Sequence, residues 1–455
     1  MTVPKTYDLV VGLGASGVSM ARFLKSLGHE VVATDIDPSR TAEAEALKAL
    51  GIYTQIGSHD QDVFDKAMVI VPSPGIPLTV SYIKNAAAKG VPIKGELDIF
   101  THYNTTPVVA VTGTNGKTTT TQLIAEMLEA SGHTCFIGGN IGTPLVEYLM
   151  EGRPADLVVA EVSSFQLDLA KEFKPNVAAL LNISQDHLDR YPDFDAYADS
   201  KWSAFKNQTS EDTAVVNNNI QNFLIRAPKI DATLLEFSST KKINSGAKVD
   251  LDKISINTDL VQDTIETKDL AAMPGNHNRE NIAAAVLAVL AAGGTMEGIR
   301  QALAGFTPPD HRMAFVRELD GVKFYNDSKA TNVDAVLRAL ESFEEKIILI
   351  LGGREKGTDF TPLIPAVAAN VKTIMAIGEA TDHIVEVFSS SCPITPCESM
   401  SYAVSSAFEA AMPSDIVILS PACASFDMYT NYEERGQNFT ALVKELTPKK
   451  EAAHE

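Results

Sequence analysis

The segment that most constrains the fold is PVVAVTGTNGKTTTTQL, residues 107–123. An apolar run leads into a loop of glycine, threonine and asparagine, and a helical pattern follows. Successive backbone N–H groups and a helix N-terminus form a cradle for an anion, Lys117 can reach the β- and γ-phosphates, and Thr118 can bind Mg²⁺. The loop is shorter than G-x-x-x-x-G-K-[ST], because Val111 stands at the first glycine position. The order of strand, loop, lysine, threonine and helix predicts a nucleotide-binding unit.

A second glycine-rich loop lies near the start of the chain, in YDLVVGLGASGVSMA, residues 7–21. Gly12, Gly14 and Gly17 form a G-x-G-x-x-G pattern after an apolar run, and Asp35 ends the next apolar run, EVVAT. This spacing is typical of a dinucleotide fingerprint, in which the acid binds a ribose hydroxyl. A nicotinamide or flavin enzyme is therefore one interpretation, but the second nucleotide loop means that the two must be interpreted together.

Length and composition limit the class of protein. A chain of 455 residues suits three domains of about 150 residues each. Its 58 acidic against 38 basic residues argue against nucleic-acid or anionic-membrane binding. The apolar segment at 281–294 is too short to span a bilayer and predicts a buried helix. The four cysteines form no C-x-x-C, and we identify no signal peptide, so we expect a cytoplasmic protein.

Alternating apolar and helical segments predict three α/β domains, at residues 1–105, 106–308 and 309–455. Near-continuous apolar runs such as DLVVA and KIILILGG predict strands of parallel sheets that are buried on both faces. Shorter alternating pieces between about 213 and 270 predict a small β-rich lobe. The segment GFTPPDHRM predicts a linker before the third domain.

Several polar residues follow predicted strands. Glu161 ends DLVVA, where it could bind the metal of a nucleotide or simply occupy a helix start. His187, in NISQDHLDRY, is by itself more typical of a structural histidine, and Lys201, in YADSKWSAF, of a solvated helix lysine. In the third domain, YNDSKATN, GGREKGTDF and SPACASFDMYTNYEERGQNF follow strands, at positions where open α/β sheets bind ligands. Solvated loops are the alternative for each.

The order of GTNGKTT, EVSSFQL, ISQDHLDRY, PGNHNREN, DHRM, NDSKATN and SPACASFD along the chain resembles the Mur ligases of peptidoglycan synthesis. The GTNGKTT loop is also similar to that of folylpolyglutamate synthase. The glycine-rich first domain and SPACAS are most similar to the Mur ligases that add D-glutamate, and no D-N-P-R motif of the diaminopimelate-adding members is present. The resemblance implies a Rossmann-like UDP-binding domain, a central P-loop ATPase-type domain and a C-terminal Rossmann-like domain.

The activity that the resemblance implies is an ATP-dependent ligation. ATP would phosphorylate the L-alanine carboxylate of UDP-N-acetylmuramoyl-L-alanine, and the amine of D-glutamate would displace phosphate through a tetrahedral intermediate. The cofactors would be ATP and Mg²⁺, and we expect a monomer without nucleic-acid or membrane partners. The alternatives are another Mur-type or folylpolyglutamate-type amino-acid ligase, a nicotinamide oxidoreductase, and a nucleotide switch without synthetic activity.

The resemblance also implies roles for individual residues. The catalytic residues would be Lys117, His187 and Lys201, with Lys201 at the position of a carbamylated lysine. The ATP contacts would be Gly113, Thr114, Asn115, Gly116, Lys117, Thr118, Thr119, Asn278, Asn281, Arg312 and Asp327. The Mg²⁺ ligands would be Thr118, Glu161, His187 and Lys201. The UDP-substrate would meet Gly14, Ala15, Ser16, Asp35, Ser73, Pro74, Gly75, Asn140, Ser163 and Gln166. D-Glutamate would meet Lys329, Thr331, Lys356, Ser425 and Tyr432.

Two positions depart from the pattern of the family. Asp37 stands where the resemblance predicts a uracil-contacting arginine, and Tyr432 stands where it predicts phenylalanine.

Overall fold

A computed structural model of the chain describes residues 3–152, 154–186, 190–259, 261–267, 273, 275–355 and 357–449. The chain divides into two compact units, one of residues 1–183, 190–265 and 280–305, the other of residues 184–189, 266–279 and 306–455. The described residues form three β-sheets, as the sequence predicts. Within the same ranges, no helix has both the length and the apolar character needed to cross a membrane.

The N-terminal sheet has four parallel strands in the order β3-β2-β1-β4. Its strands are β1 Asp8–Val11, β2 Val31–Asp35, β3 Tyr53–Ile56 and β4 Val69–Pro72. The helices of this region are α1 Ala15–Ser26, α2 Thr41–Ala49, α3 Gln61–Asp65, α4 Ser81–Ala88 and α5 Glu96–Tyr103. Because β1 is paired with β2 on one side and β4 on the other, its carboxyl end lies between the carboxyl ends of these two strands.

The central sheet has nine strands in the order β13-β12-β11-β10-β9-β8-β5-β7-β6. They are β5 Val108–Thr112, β6 Cys135–Gly139, β7 Leu157–Glu161, β8 Val177–Leu180, β9 Thr213–Asn217, β10 Thr233–Ser238, β11 Gly246–Val249, β12 Lys253–Asn257 and β13 Gln262–Glu266. The helices are α6 Lys117–Ala130, α7 Leu145–Glu151, α8 Ser164–Leu167, α9 Phe194–Trp202, α10 Phe223–Arg226, α11 Asn276–Ala291 and α12 Met296–Gly305, with 3-10 turns at Ser203–Phe205 and Ala227–Lys229.

The small β-rich lobe predicted between about 213 and 270 is part of the central sheet. The strands exist, but β9 pairs in parallel with β8, β10 with β9 and β11 with β10, so they extend the central sheet. The reason is that the backbone N–H and C=O groups at the edge of β8 are paired only when further strands continue the ladder.

The apolar segment predicted to form a buried helix is α11, and its residues from Ile282 to Val289 are fully buried.

The third sheet has six strands in the order β14-β15-β19-β16-β17-β18, and only β14 is antiparallel to its neighbour. The strands are β14 Ala314–Leu319, β15 Val322–Asn326, β16 Ile347–Gly352, β17 Val371–Ile377, β18 Ile394–Cys397 and β19 Ile416–Leu419. The helices are α13 Val333–Leu340, α14 Ile364–Asn370, α15 Thr381–Phe388, α16 Met400–Ala410 and α17 Tyr432–Glu445, with a 3-10 turn at Thr361–Leu363. Leu349 and Ile350 of β16 pack into different apolar clusters, which explains its uninterrupted apolar run.

The strand orders gather the predicted loops at the carboxyl edges of the sheets. The loops after β2, β1 and β4 follow neighbouring strands, and so do those after β6, β7, β5 and β8. In the third sheet, the loops after β15, β19 and β16 are also neighbours. Parallel sheets bind ligands at this edge, so each sheet places its candidate residues where a site can form.

Candidate active site

The N-terminal glycine loop is held by two polar side chains from neighbouring strands. The backbone N–H of Leu13 donates to the Asp35 carboxylate at 2.7 Å. The Ser73 hydroxyl donates to the carbonyl of Gly12 at 3.2 Å. Gly12 has φ +95°, in the region that favours glycine, and Gly14, which has no side chain, is the N-cap of α1. The first backbone N–H groups of α1 can therefore meet an anion, as predicted for Ala15 and Ser16.

Gly17→Ala tests the geometry of this loop. A Cβ at Gly17 would lie 1.8 Å from the carbonyl oxygen of Gly12, whereas a Cβ at Gly14 would meet nothing within 4 Å. Because backbone atoms must move to admit the methyl group, we expect Gly17→Ala to lower the free energy of unfolding by about 1–3 kcal/mol. Gly14→Ala is the matched control, and because it costs only the poorer N-cap preference of alanine, it should lower the free energy of unfolding by less than about 1 kcal/mol. Urea denaturation measures both, and equal stability of the two variants would contradict the loop geometry.

The central glycine loop, residues 113–118, is fastened to the end of β8. Asn182 accepts from the N–H of Asn115 and donates to its carbonyl, both at 2.9 Å. The carbonyl of Asn182 also accepts from the N–H of Thr114. Gly116 has φ +86°, and a Cβ there would lie 2.4 Å from the Oδ1 atom of Asn281. The predicted nucleotide contact Asn281 therefore packs against the loop, and Asn182 is a loop-holding residue that the sequence analysis missed.

Two lysines meet the carbonyl groups of this loop. The Nζ atom of Lys117 donates to the carbonyls of Gly113 and Thr114, at 2.9 and 2.8 Å. Lys201 lies in the last turn of α9, and its Nζ atom donates to the Gly113 carbonyl at 2.8 Å. The side chain of Lys201 is only 2% exposed, so the interpretation of a solvated helix lysine is wrong. Tyr197 adds a hydrogen bond at 3.0 Å between its hydroxyl and that of Thr114.

Glu161 is the polar centre at the end of β7. Its side chain is 1% exposed, and its two oxygens accept from the Thr118 hydroxyl and the Asn140 side-chain amide, both at 2.8 Å. A buried carboxylate beside a hydroxyl is a donor set of oxygens, which suits Mg²⁺. The predicted ligands Thr118 and Glu161 thus fit a hard cation, and Thr119 is buried on the same helix. The described residues contain no cluster of three or more His, Cys, Asp or Glu side chains that could hold a metal ion.

The predicted contacts of the UDP-substrate lie on two further turns of the same unit. Ser163 and Gln166 form a capping box at the start of α8. Gly75, in the loop that also carries Pro74, has its carbonyl bonded to Arg190 at 2.7 Å, and the Arg190 guanidinium lies 4.3 Å above the ring of Phe165. The sequence analysis did not single out Arg190, although it follows His187 in the motif HLDRY.

In the second unit, Asp327 lies buried at the end of β15. Its carboxylate accepts from the Ser420 hydroxyl at 2.9 Å and from the N–H of Met313 at 3.2 Å. Burial raises the pKa of Asp327 to about 7, while these hydrogen bonds and the charge of Arg312 act in the opposite direction. The backbone on either side of Arg312 is strained, with φ +65° at His311 and +51° at Met313. Such strain is typical of functional loops, and the nucleotide contact of Arg312 stays a prediction.

The predicted acceptor residues of the second unit come from neighbouring loops. The Nζ atom of Lys329 lies 3.8 Å from the centroid of the Tyr432 ring, which is a cation–π contact. Thr331 is exposed beside it, and its N–H donates to the Lys329 carbonyl. Ser425 is buried after β19. Asn278 is buried on α11 in this unit.

Two predicted site residues, His187 and Lys356, lie outside the described residues. Their assignments as a metal ligand and as an acceptor contact stay predictions.

Arg435 on α17 joins two of these loops and was also missed. It is 1% exposed, and its guanidinium donates to the Ser328 hydroxyl and carbonyl and to the Cys423 carbonyl, at 2.8–3.0 Å. Burial lowers the pKa of Arg435 to about 10. The arginine therefore ties the loop after β15 to the loop after β19. An EERG sequence in a helix contains no pattern from which this role could be read.

The central sheet carries a phosphate-type loop with lysine, threonine and a buried glutamate. A Rossmann-like sheet lies at each end of the chain. Together these features define a class of multidomain nucleotide-dependent enzymes. Three family descriptions match in order: Mur ligase MurD-like N-terminal domain at residues 6–95, Mur ligase middle domain at 111–289, and Mur ligase glutamate ligase domain at 311–423. The chain belongs to the Mur ligase family.

Relatives match along nearly the whole chain. It is 43% identical to the UDP-N-acetylmuramoylalanine–D-glutamate ligase of Desulfosudis oleivorans, over 96% of each chain. It is 41% identical to the ligase of the same name from Geobacillus kaustophilus, over 96% of this chain and 97% of the relative. The MurF ligase of Thermotoga maritima, solved in complex with ADP, shares the fold with a TM-score of 0.64 at 17% identity, over 91% of this chain and 95% of that one.

Proposed function

We propose that this chain is an ATP-dependent ligase that adds D-glutamate to UDP-N-acetylmuramoyl-L-alanine in peptidoglycan synthesis. The observation that carries the proposal is the 43% identity, over 96% of both chains, to a ligase named for this substrate and this amino acid. Within the first unit, the loop assigned to ATP at residues 113–118 follows β5, and Ser163 and Asn140, assigned to the UDP-substrate, follow β7 and β6, the next two strands of the same sheet. The loops assigned to D-glutamate follow neighbouring strands of the second unit.

The chemistry explains the need for a cationic loop. A carboxylate is a poor acylating agent, so a carboxylate oxygen of the L-alanyl group attacks the γ-phosphorus of ATP and ADP leaves. The amine of D-glutamate then attacks the acyl carbon, a tetrahedral intermediate forms, and phosphate leaves. In the first step two anions approach each other, and their charge is neutralised by positioned cations rather than by a covalent nucleophile. Lys117, the first residue of α6, is the cation that we place at the transferred phosphoryl group.

The oxygen ligands around Glu161 are where we place Mg²⁺. Thr118 and Glu161 would hold the ion, together with His187 and a carbamate on Lys201. The ion would supply charge neutralisation at the phosphates when bound. A lysine that reacts with CO₂ becomes an anionic carbamate with oxygen donors, whereas its ammonium form cannot be a metal ligand. The burial of Lys201 beside Gly113 supports this assignment, because it holds the Nζ atom at the loop.

The N-terminal glycine loop should bind the UDP group and not a dinucleotide. The reason is that ATP already has its own loop at residues 113–118, so the first loop is free for the nucleotide of the other substrate. Calorimetric titration of the protein with UDP-N-acetylmuramoyl-L-alanine, NAD and NADP tests this. We expect binding of the UDP-substrate alone. Micromolar binding of NAD without binding of the UDP-substrate would support an oxidoreductase instead.

The acceptor is tested by phosphate release with a panel of amino acids. In the presence of ATP, Mg²⁺ and UDP-N-acetylmuramoyl-L-alanine, we expect release with D-glutamate and not with L-glutamate, L-lysine or diaminopimelate. Lys329, Lys356 and Ser425 supply the cations and the hydroxyl for the two carboxylates of D-glutamate, so Lys356→Ala should raise the KM for D-glutamate far more than the KM for ATP. Equal activity with L-lysine or diaminopimelate would favour a different amino-acid ligase of the family. Phosphate release without any amino acid or UDP-substrate would favour a nucleotide switch.

A further inference from the structure

A buried carboxylate on α5, Glu96, bonds to two elements that carry predicted contacts of the UDP-substrate. Its side chain lies in the first unit, and the residue is 5% exposed. Its Oε1 atom accepts from the backbone N–H of Leu145 at 3.0 Å, and its Oε2 atom accepts from the side-chain amide of Gln166 at 3.3 Å. Leu145 is the first residue of α7, and Gln166 lies in α8.

The bond to Gln166 fixes which way its amide points. The Nε2 atom of Gln166 donates to Glu96, and its Oε1 atom accepts from the N–H and the hydroxyl of Ser163, both at 3.0 Å. An ionised carboxylate can only accept hydrogen bonds, so it selects the donor end of the amide. Glu96 thereby leaves the acceptor end of Gln166 for Ser163 and sets the direction of the bonds in this capping box.

The bond to Leu145 fixes the second element. The loop that precedes α7 begins at Asn140, whose side chain and backbone N–H both bond to Glu161 at 2.8 Å. Glu96 holds the other end of this loop, where a carboxylate satisfies a backbone N–H that has no partner within the helix. Burial raises the pKa of Glu96 to about 7, and the amide of Gln166 and the N–H groups of Leu145 and Val146 act against that rise.

We propose that Glu96 is a positioning residue for the N-acetylmuramoyl-L-alanine part of the UDP-substrate. It acts through two groups, the Ser163–Gln166 turn and the loop that starts at Asn140. This inference rests on the proposed function, because it uses Ser163, Gln166 and Asn140 as substrate contacts. A buried carboxylate is a costly way to join helices, since an apolar side chain of the same size often stabilises a core equally well. Glu96 meets two donors with two acceptor oxygens, one for the Leu145 N–H and one for the Gln166 amide, which accounts for an acid at this position.

Glu96→Gln tests the role of the second acceptor oxygen directly. The variant replaces one acceptor oxygen with an NH₂ group, so either the Leu145 N–H loses its acceptor or the Gln166 amide must turn over and release Ser163. We expect the Kd and the KM for UDP-N-acetylmuramoyl-L-alanine to rise about tenfold or more, which is typical for loss of a hydrogen bond to a charged group. The KM for ATP should stay unchanged. Calorimetry measures the Kd without turnover, and phosphate release measures both KM values.

A swapped variant and a matched control separate positioning from general stabilisation. In Glu96→Gln/Gln166→Glu, the new amide donates to the new carboxylate, which again accepts from Ser163. Affinity for the UDP-substrate should therefore exceed that of Gln166→Glu alone, which carries the loss of the Gln166 contact itself. Asp98 lies on the same helix, is 4% exposed, and accepts from the N–H groups of Lys171 and Glu172 at 3.0 and 2.8 Å. Asp98→Asn should lower the melting temperature without raising the KM for the UDP-substrate.

Each outcome decides the inference. A folded Glu96→Gln variant with wild-type affinity would overturn it, and so would an Asp98→Asn variant with the same rise in KM. If Glu96→Gln melts below the assay temperature, the swapped variant is the test, and a restored fold with no more affinity than Gln166→Glu alone would overturn the positioning role. Failure of the proposed function is distinct, because the wild-type chain itself would then not bind UDP-N-acetylmuramoyl-L-alanine.

Discussion

Lys117→Ala should abolish phosphate release while leaving the affinity for the UDP-substrate nearly intact. Its Nζ atom now bonds to the carbonyls of Gly113 and Thr114, so it is already held at the loop where the phosphates of ATP are expected. Removing one preorganised charge contact to a transition state lowers kcat by about 100-fold to 1000-fold. Phosphate release with D-glutamate measures the loss of turnover.

The control for Lys117→Ala is Lys206→Ala, because Lys206 is exposed in the same unit. Its turnover should equal that of the wild type. Calorimetry with UDP-N-acetylmuramoyl-L-alanine should give the same Kd for both variants, since the N-terminal glycine loop is a different site. A Lys117→Ala enzyme that keeps more than a tenth of the wild-type rate would remove the lysine from phosphoryl transfer.

Lys201→Ala should be nearly inactive and should regain part of its rate when acetate or formate is added. We place a carbamate on Lys201, so truncation to alanine removes an anion and leaves a space. A small carboxylate can occupy that space and supply the missing negative charge. The expected loss is about 100-fold or more, as for other charges that act at a phosphoryl-transfer site. The measurement is phosphate release as a function of added carboxylate, with chloride at equal ionic strength as the salt control.

Lys201→Met separates the charge from the packing. Methionine fills the buried space beside Tyr197 but cannot form a carbamate, so it should be inactive, and it leaves little room for rescue by acetate. Wild-type activity of Lys201→Ala without any added acid would show that the carbamate has no role. The lysine would then have a structural role, to which its bond to the Gly113 carbonyl contributes.

The strands and helices around the glycine loops were predictable because their backbone conformation depends on residues close by in the sequence. The apolar run before Gly113 is β5, the helical pattern after Gly116 is α6, and both glycines have positive φ. The three β-sheets and the buried helix α11 follow from the same local patterns. The structure confirms the sheets and the helix. The Mur ligase motifs predicted the family, and the family matches confirm it.

The residues that the sequence analysis missed are held in place by partners far along the chain. Asn182 bonds to Asn115, Arg190 bonds to Gly75, and Glu96 bonds to Gln166. None of these pairs lies within one helix or one strand, so no period or spacing connects its members. The sequence also did not show that the β-rich segment after residue 213 extends the central sheet, because the pairing of β9 with β8 depends on which sheet edge is available and not on either strand alone.

The sequence by itself determined the local order of strand, loop and helix, the glycines that the loops require, and the family. Only the tertiary structure decided that Lys201 is buried against the Gly113 carbonyl, that Glu161 joins Thr118 to Asn140, and that an acid on α5 orients Gln166. The physical reason is that a backbone conformation is set by sterics and hydrogen bonds within a few residues. A buried polar contact forms only where the strand order brings a donor and an acceptor to the same place and removes water from both.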